Sequence, residues 1–297
     1  MMRRIAIVRA PSVLGLRPTG VERLPEALLE AGLADRLGAR AAGEVRPPPY
    51  DERRDAETGM LNSRGIAEYT LRLADAVGDV LDRGEFPVVL GGDCSILLGN
   101  LLALRRRGRF GLLFMDGHAD FYQPEANVNG EAASSELALA TGRGPEVLTR
   151  FDGCAPLVRD EDVAVLGPRD GEEAAEYGSQ LLPPGMLAID FAALRGLGAA
   201  AAVGAALQRL ERPELEGFWI HFDADVLDDA LMPAVDYRLP GGLGWAEARE
   251  CLRAGLSSGH AVGLDVTIYN PALDPSGEIG RGLARPIGNA FGSLARG

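Results

Sequence analysis

Two short stretches carry residues whose types and spacing suit metal chemistry. In "MDGHAD" the residues Asp116, His118 and Asp120 alternate along the chain, and in "FDADVLD" Asp223 and Asp225 do the same. Residues at i, i+2 and i+4 of an extended chain point to one side, so each set can converge on a point. If the two segments end neighbouring strands, their carboxylates and the imidazole share one pocket. Without a cation such a set repels itself and forces protons onto some carboxylates. Two divalent ions would resolve that cost, and carboxylates with one or two imidazoles suit hard or borderline ions such as Mn²⁺. Asp after a strand ordinarily caps a helix or turns a loop. That reading explains one Asp easily and a series of them poorly. A third stretch, "GGDCSILLG" at 91 to 99, adds Asp93 and Cys94, and Asp265 lies within the apolar run 261 to 266. Cys94 is open to three readings: a metal ligand, a nucleophile, or a small buried hydrophobe.

These residues follow apolar runs that would have to position them. The runs are "RIAIV" (4 to 8), "FPVVL" (86 to 90), "FGLLFMD" (110 to 116), "VAVLG" (163 to 167), "FWIHFD" (218 to 223) and "AVGLDV" (261 to 266). They are continuous rather than alternating, as strands buried on both faces are. Helical periodicity separates them, clearest at Ile66, Tyr69, Leu73, Val77, Val80 and Leu81. Strand alternating with helix predicts an α/β fold, a single domain over 1–297 with three layers, α/β/α, and a mostly parallel central sheet. The stretches 46 to 57 and 122 to 135 read as loops. Ligands in such sheets bind at the carboxyl ends of strands, where the acidic residues fall.

Composition narrows the function classes. All 30 basic residues are Arg, which excludes Schiff-base chemistry and the P-loop phosphate grip, since both require Lys. A formal net charge of -13 argues against nucleic acid and anionic membrane surfaces as partners. Cys94, Cys154 and Cys251 form no CxxC pair, so a reducing cytoplasm is the expected compartment. The start, "MMRRIAIVRAPSVLG", is basic then apolar, but Arg9 and Pro11 break the run and it reads as a first strand. The Ala/Gly-rich segment 191 to 210 contains Arg195 and reads as a packed helix rather than a membrane span.

The chain resembles the arginase and agmatinase family of ureohydrolases, which includes formiminoglutamase and shares its fold with histone deacetylases. The resemblance rests on "GGDCS" (91 to 95), "MDGHAD" (115 to 120), "FDADVLD" (222 to 228) followed by "LPGGLGWAE" (239 to 247), and "GLDVTIYNP" (263 to 271), in that order, with weaker similarity at 18 to 33 and 165 to 173. It implies that Asp116 and Asp223 bridge two Mn²⁺ ions, that His118 and Asp225 complete one site, and that Asp120 and position 94 complete the other. It implies Asp120, His118 and Glu247 as catalytic residues, and Asp170 and Glu172 as contacts to an amino-bearing substrate. A water-derived hydroxide activated by the metal would attack the carbon of a linear amidine or guanidino compound. A homo-oligomer, trimer or hexamer, is a further expectation from the resemblance.

Three departures accompany it. Family members carry His where this chain has Cys94, and a soft thiolate favours zinc or iron over Mn²⁺, or leaves one ion only. Cys94 acting as a nucleophile with His118 as its base is opposed by the surrounding carboxylates, which raise a thiol's pKa. Ile268 stands where ureohydrolases pair a Glu with the guanidinium, which makes arginine and agmatine less suitable substrates. No His lies between Phe121 and Gly144, where the family places a catalytic one. Of the remaining imidazoles, His221 reads as a support to the metal ligands or a satisfied core residue, and His260 as a surface residue. Glu247 either orients the site or favours the first turn of a helix. The expectation is a metal-dependent hydrolase of C–N bonds in a linear amidine. The alternatives are a deacetylase-like amide hydrolase with one metal and a non-catalytic family member.

Overall fold

The computed structural model describes residues 3–292. Eight strands form one sheet: β1 (Ile5–Ala10), β2 (Arg40–Glu44), β3 (Phe86–Gly91), β4 (Gly111–Met115), β5 (Val163–Leu166), β6 (Leu187–Ile189), β7 (Phe218–Asp223) and β8 (Ala261–Thr267). Their order is β2-β1-β3-β8-β7-β4-β5-β6, and every pairing is parallel. All six expected strands are present, and β2 and β6 add the two edges. Edge strands lack the continuous apolar run of a doubly covered strand: β2 reads "RAAGE" and is half exposed, and β6 has three residues.

Alternate side chains of each strand enter two separate cores, one on each face of the sheet. Leu113, Met115, Ile220 and Phe222 pack against Leu28, Val203, Leu252 and Leu283 of the helices on one side. Leu112, Phe114 and Trp219 pack against Leu73, Val77 and Leu101 on the other. The second group includes the helix Ser63–Asp82, whose apolar stripe is the one legible in the sequence. Because both faces of the central strands are covered, their residues read as unbroken apolar runs.

The segment 191 to 210 is two helices, Phe191–Leu197 and Ala199–Leu210, that turn through 109°. Gly198 lies between them with φ 82°, a left-handed conformation that costs glycine little. No single helix among the described residues is long and apolar enough to cross a membrane.

The order β3-β8-β7-β4 is what positions the site. Met115 pairs with Phe222 across β4 and β7, Asp223 pairs with Thr267 across β7 and β8, and Leu90 pairs with Val266 across β8 and β3. The residues just beyond these pairs therefore meet at the carboxyl ends of the central strands, although they are far apart in sequence.

Candidate metal centre

Asp116 and Asp223 end adjacent strands, both almost fully buried. The loop after β4 folds back on the loop after β7 through Gly117, whose N–H donates to Asp225 Oδ1 at 2.9 Å. A Cβ at Gly117 would come within 2.7 Å of the Asp225 carbonyl oxygen, so this close approach requires glycine. His118 Nδ1 lies 2.8 Å from Asp225 Oδ2 and 3.8 Å from Asp116 Oδ1. Asp116, His118 and Asp225 thus form one converging donor set.

A second set comprises Cys94, Asp116, Glu136 and His221, with one donor atom from each within 4.8 Å of the others. Cys94 Sγ donates to Asp223 Oδ2 at 2.8 Å and to Thr267 Oγ1 at 3.1 Å. His221 Nδ1 donates to Asp265 Oδ2 at 2.6 Å, while Trp219 Nε1 and Asn100 Nδ2 donate to the other oxygen of Asp265. The imidazole stacks on Phe114 at 4.8 Å, and its Nε2 lies 3.8 Å from Asp116 Oδ2. Asp116 belongs to both sets.

The electrostatics of this cluster are those of an acid set that lacks a balancing charge. Burial, then Asp120, Asp223 and Asp225, push Asp116 well above the usual carboxylate range. Burial and Glu136 do the same to Asp120, and burial also raises Glu136. Burial and Asp225 raise Asp223 to about 7. Burial would raise Asp225 too, but His118 holds it at about 2. His118 itself, lowered by burial and raised more by Asp225, stands at about 9. Asp116 Oδ2 and His221 Nε2 are buried without a hydrogen-bond partner, and the buried carboxyl of Glu136 meets only the acid of Asp120. Buried polar atoms are rarely left so, and a divalent cation is the group that these donors fit.

A cavity of about 180 Å³ opens over the cluster. Its floor is His118, Asp120, Asp223 and Asp225, and Tyr122, Tyr177, Tyr237, Glu173, Asp236 and Ile268 are among its walls. Asp236 is fixed by Thr19 Oγ1 at 2.9 Å and Asn270 Nδ2 at 3.0 Å. Asp120 has φ 43° and Ile268 has φ 71°. For a β-branched residue the second is a true outlier, and strain of this kind concentrates at functional sites.

The comparisons with known proteins bear on the family and the fold. The family profile described as "Arginase family" matches residues 3–289. The chain belongs to the arginase family. It is 27% identical over 299 residues to the arginase of Bacillus caldovelox, covering 98% of this chain and 99% of that protein. It is 26% identical over 302 residues to the arginase of Staphylococcus aureus strain COL, covering 98% and 97%. The native structure of the Bacillus caldovelox arginase superimposes with a TM-score of 0.88 at 26% identity, covering 98% of this chain and 99% of that one. The formimidoylglutamase of Bacillus subtilis shares the fold, with a TM-score of 0.75 at 16% identity over 99% and 88% of the two chains.

Within the arginase fold, the expected site residues divide into two groups. Cys94, Asp116, His118, Asp120, Asp223 and Asp225 come together at the strand ends. Asp170 is buried beside them, accepting from Ala119 N at 3.1 Å. Glu172 is exposed and outside the cavity lining, whereas its neighbour Glu173 is in it. Glu247 is also outside: it accepts from Gly244 N at 2.8 Å and pairs with Arg195, so its carboxylate closes the start of the helix Trp245–Ser257. Asp93 accepts from Ser95 N at 2.9 Å and Ser12 Oγ at 2.7 Å, holding the turn that presents Cys94. Cys94 is buried, is not in the cavity lining, and is not paired with His118. Cys251 is buried and Cys154 partly so, and His260 is exposed.

Glu136 and Asp265 escape the sequence reading in different ways. Glu136 opens the short helix Glu136–Ala140 and looks like an ordinary first-turn acid; only its apolar flank, "ELALA", hints at burial. Asp265 was visible as a charge in a buried strand, but nothing in the spacing shows that it faces His221.

Proposed function

We propose that this protein is a metal-dependent hydrolase that cleaves a C–N bond of a linear amidine or guanidino compound. The observation that carries the reading is the pair of donor sets joined through Asp116, one of which reaches the floor of a cavity through His118 and Asp225. Divalent ions held there would supply Lewis acidity and a nucleophilic water at neutral pH. The retained carboxylates of Asp116, Asp120, Asp223 and Asp225 and the imidazole of His118 would hold those ions, and the connection through Asp116 favours two of them over one. Mn²⁺ is the family's expectation for the ion in the set with His118, whose donors are oxygen and imidazole nitrogen.

The walls restrict the substrate. The ionisable groups of the lining are acids, tyrosines and His118, with no Arg among them. A substrate bearing a carboxylate would find no cationic partner, whereas a basic tail would meet Glu173 and Asp236. Ile268 presents an apolar surface near the metal donors, so the reacting end is favoured as a neutral or weakly basic amidine. The three tyrosines would cover the tail and exclude water around it.

The test is hydrolysis by metal-loaded protein over a panel of guanidino, formimino and acylamino compounds, with Asp223→Ala as the control. Release of urea or ammonia from a carboxylate-free member, lost in Asp223→Ala, is the expected result. No turnover anywhere in the panel, or turnover that persists in Asp223→Ala, would overturn the proposal. Release of acetate from acylamino compounds would identify a deacetylase-like reaction instead.

A further inference from the structure

We propose that Glu136 and His221 are metal ligands in this chain, and that with Cys94 and Asp116 they form a sulfur-containing inner site selective for zinc over manganese. The inference rests on the hydrolase reading only in taking the acid cluster to be a metal centre.

Three observations place these side chains on one ion. First, Cys94, Asp116, Glu136 and His221 each direct a donor atom to a common region, all within 4.8 Å of one another. Second, Asp116 Oδ2 and His221 Nε2, two atoms a metal would take, are buried without a partner, and the buried carboxyl of Glu136 has only another acid, Asp120, beside it. Third, the surrounding structure holds each of the two newly assigned groups in place. Asp120, in its left-handed conformation, turns its carbonyl oxygen onto the start of the helix Glu136–Ala140 and accepts from Leu137 N at 3.2 Å and Ala138 N at 3.4 Å. That contact fixes Glu136 against the cluster. The Asp265 carboxylate accepts from His221 Nδ1, a bond that leaves a lone pair on Nε2, toward Asp116. A carboxylate behind a ligating imidazole is the usual support of a metal-bound His.

The donor types then choose the ion. One thiolate, one imidazole and two carboxylates make a four-donor set of the kind zinc takes, and the thiolate disfavours manganese. The set Asp116, His118 and Asp225 contains no sulfur, so the two positions differ in preference.

Cobalt is the probe that reports sulfur ligation. Metal-free protein is titrated with Co²⁺, and with Zn²⁺ against Mn²⁺ in competition, in the wild type and in Cys94→Ser, Glu136→Gln, His221→Asn and Asp225→Asn. The wild type should show a thiolate-to-cobalt charge-transfer band and take up zinc in preference to manganese at one position per chain. Cys94→Ser should abolish the band. Glu136→Gln and His221→Asn should keep it but weaken the first ion's affinity by about 10-fold or more. Asp225→Asn should leave it intact. Melting of the metal-free and zinc-loaded forms distinguishes ligation from a structural role. An amide can lie buried beside Asp120 without taking up a proton, so metal-free Glu136→Gln should melt at a higher temperature than the wild type, and zinc should add a smaller increment. The proposal is overturned if Glu136→Gln and His221→Asn bind cobalt and zinc as the wild type does, or if no thiolate band forms. An active enzyme with manganese at both positions would overturn it while leaving the hydrolase reading intact. Tight zinc binding without turnover would do the reverse.

Discussion

Asp116 uses its two oxygens in different directions: Oδ1 accepts from His118 N at 2.7 Å and Oδ2 faces His221. That division is legible in the sequence only as far as the alternating "DxHxD" pattern, which gives the side but not the neighbours. Apart from Cys94, the donors that the sequence marks each have a second motif residue two positions away. Glu136 has none, and it reaches the cluster because the chain loops back after Phe121. Ile268 was legible as a departure, and its consequence can be tested directly. Ile268→Glu places a carboxylate in the cavity wall, where a hydrogen bond to a charged group contributes about 1.5–3 kcal/mol. KM for guanidino compounds should fall by about 10-fold or more, measured by steady-state kinetics, and KM for uncharged amidines should not. At the same scale, Asp265→Asn keeps the shape of the buried cluster but weakens the support of His221. Zinc affinity should drop by about 10- to 100-fold, read by chelator competition.

At the scale of elements, the central strands were legible because burial on both faces leaves a continuous apolar run, and the edges were not because β2 and β6 lack one. The connecting turns were less legible, since their geometry depends on contacts across the sheet. Gly92 is an example. Its motif, "GGDCS", is readable, but the reason for glycine is that a Cβ there would fall on the carbonyl oxygen of Ser12, which already accepts from Asp93 N at 3.1 Å. Gly92→Ala should therefore destabilise the fold by about 1–3 kcal/mol through overpacking, measured by urea denaturation. It should also displace the turn that carries Cys94 and so lower metal affinity. A substitution at Gly196, whose Cβ would meet nothing within 4 Å, should do neither.

For the whole molecule, the cluster couples stability to metal and to pH. In metal-stripped protein the folded state raises Asp116, Asp120, Glu136 and Asp223 above their ordinary values, Asp223 to about 7. Between about pH 4 and 7 the folded chain keeps protons that the unfolded chain has released, so stability falls as pH rises through that window. His118, raised to about 9, acts with the same sign from about its ordinary pKa of 6.5 up to 9. Thermal melts in chelator should show the decline, and saturating metal should reverse it, because binding releases those protons and favours deprotonated ligands. A metal-free protein whose melting temperature rises steadily from pH 4 to 8 would contradict the assignment of the cluster.

Two ions sharing Asp116 at the carboxyl ends of β4 and β7, as proposed, would both depend on its carboxylate. Elemental analysis of metal per chain, on wild type and Asp116→Asn after loading and desalting, tests this most directly. Two ions per chain are expected in the wild type, and loss of both in Asp116→Asn. One ion in the wild type, or two retained without the Asp116 carboxylate, would contradict it.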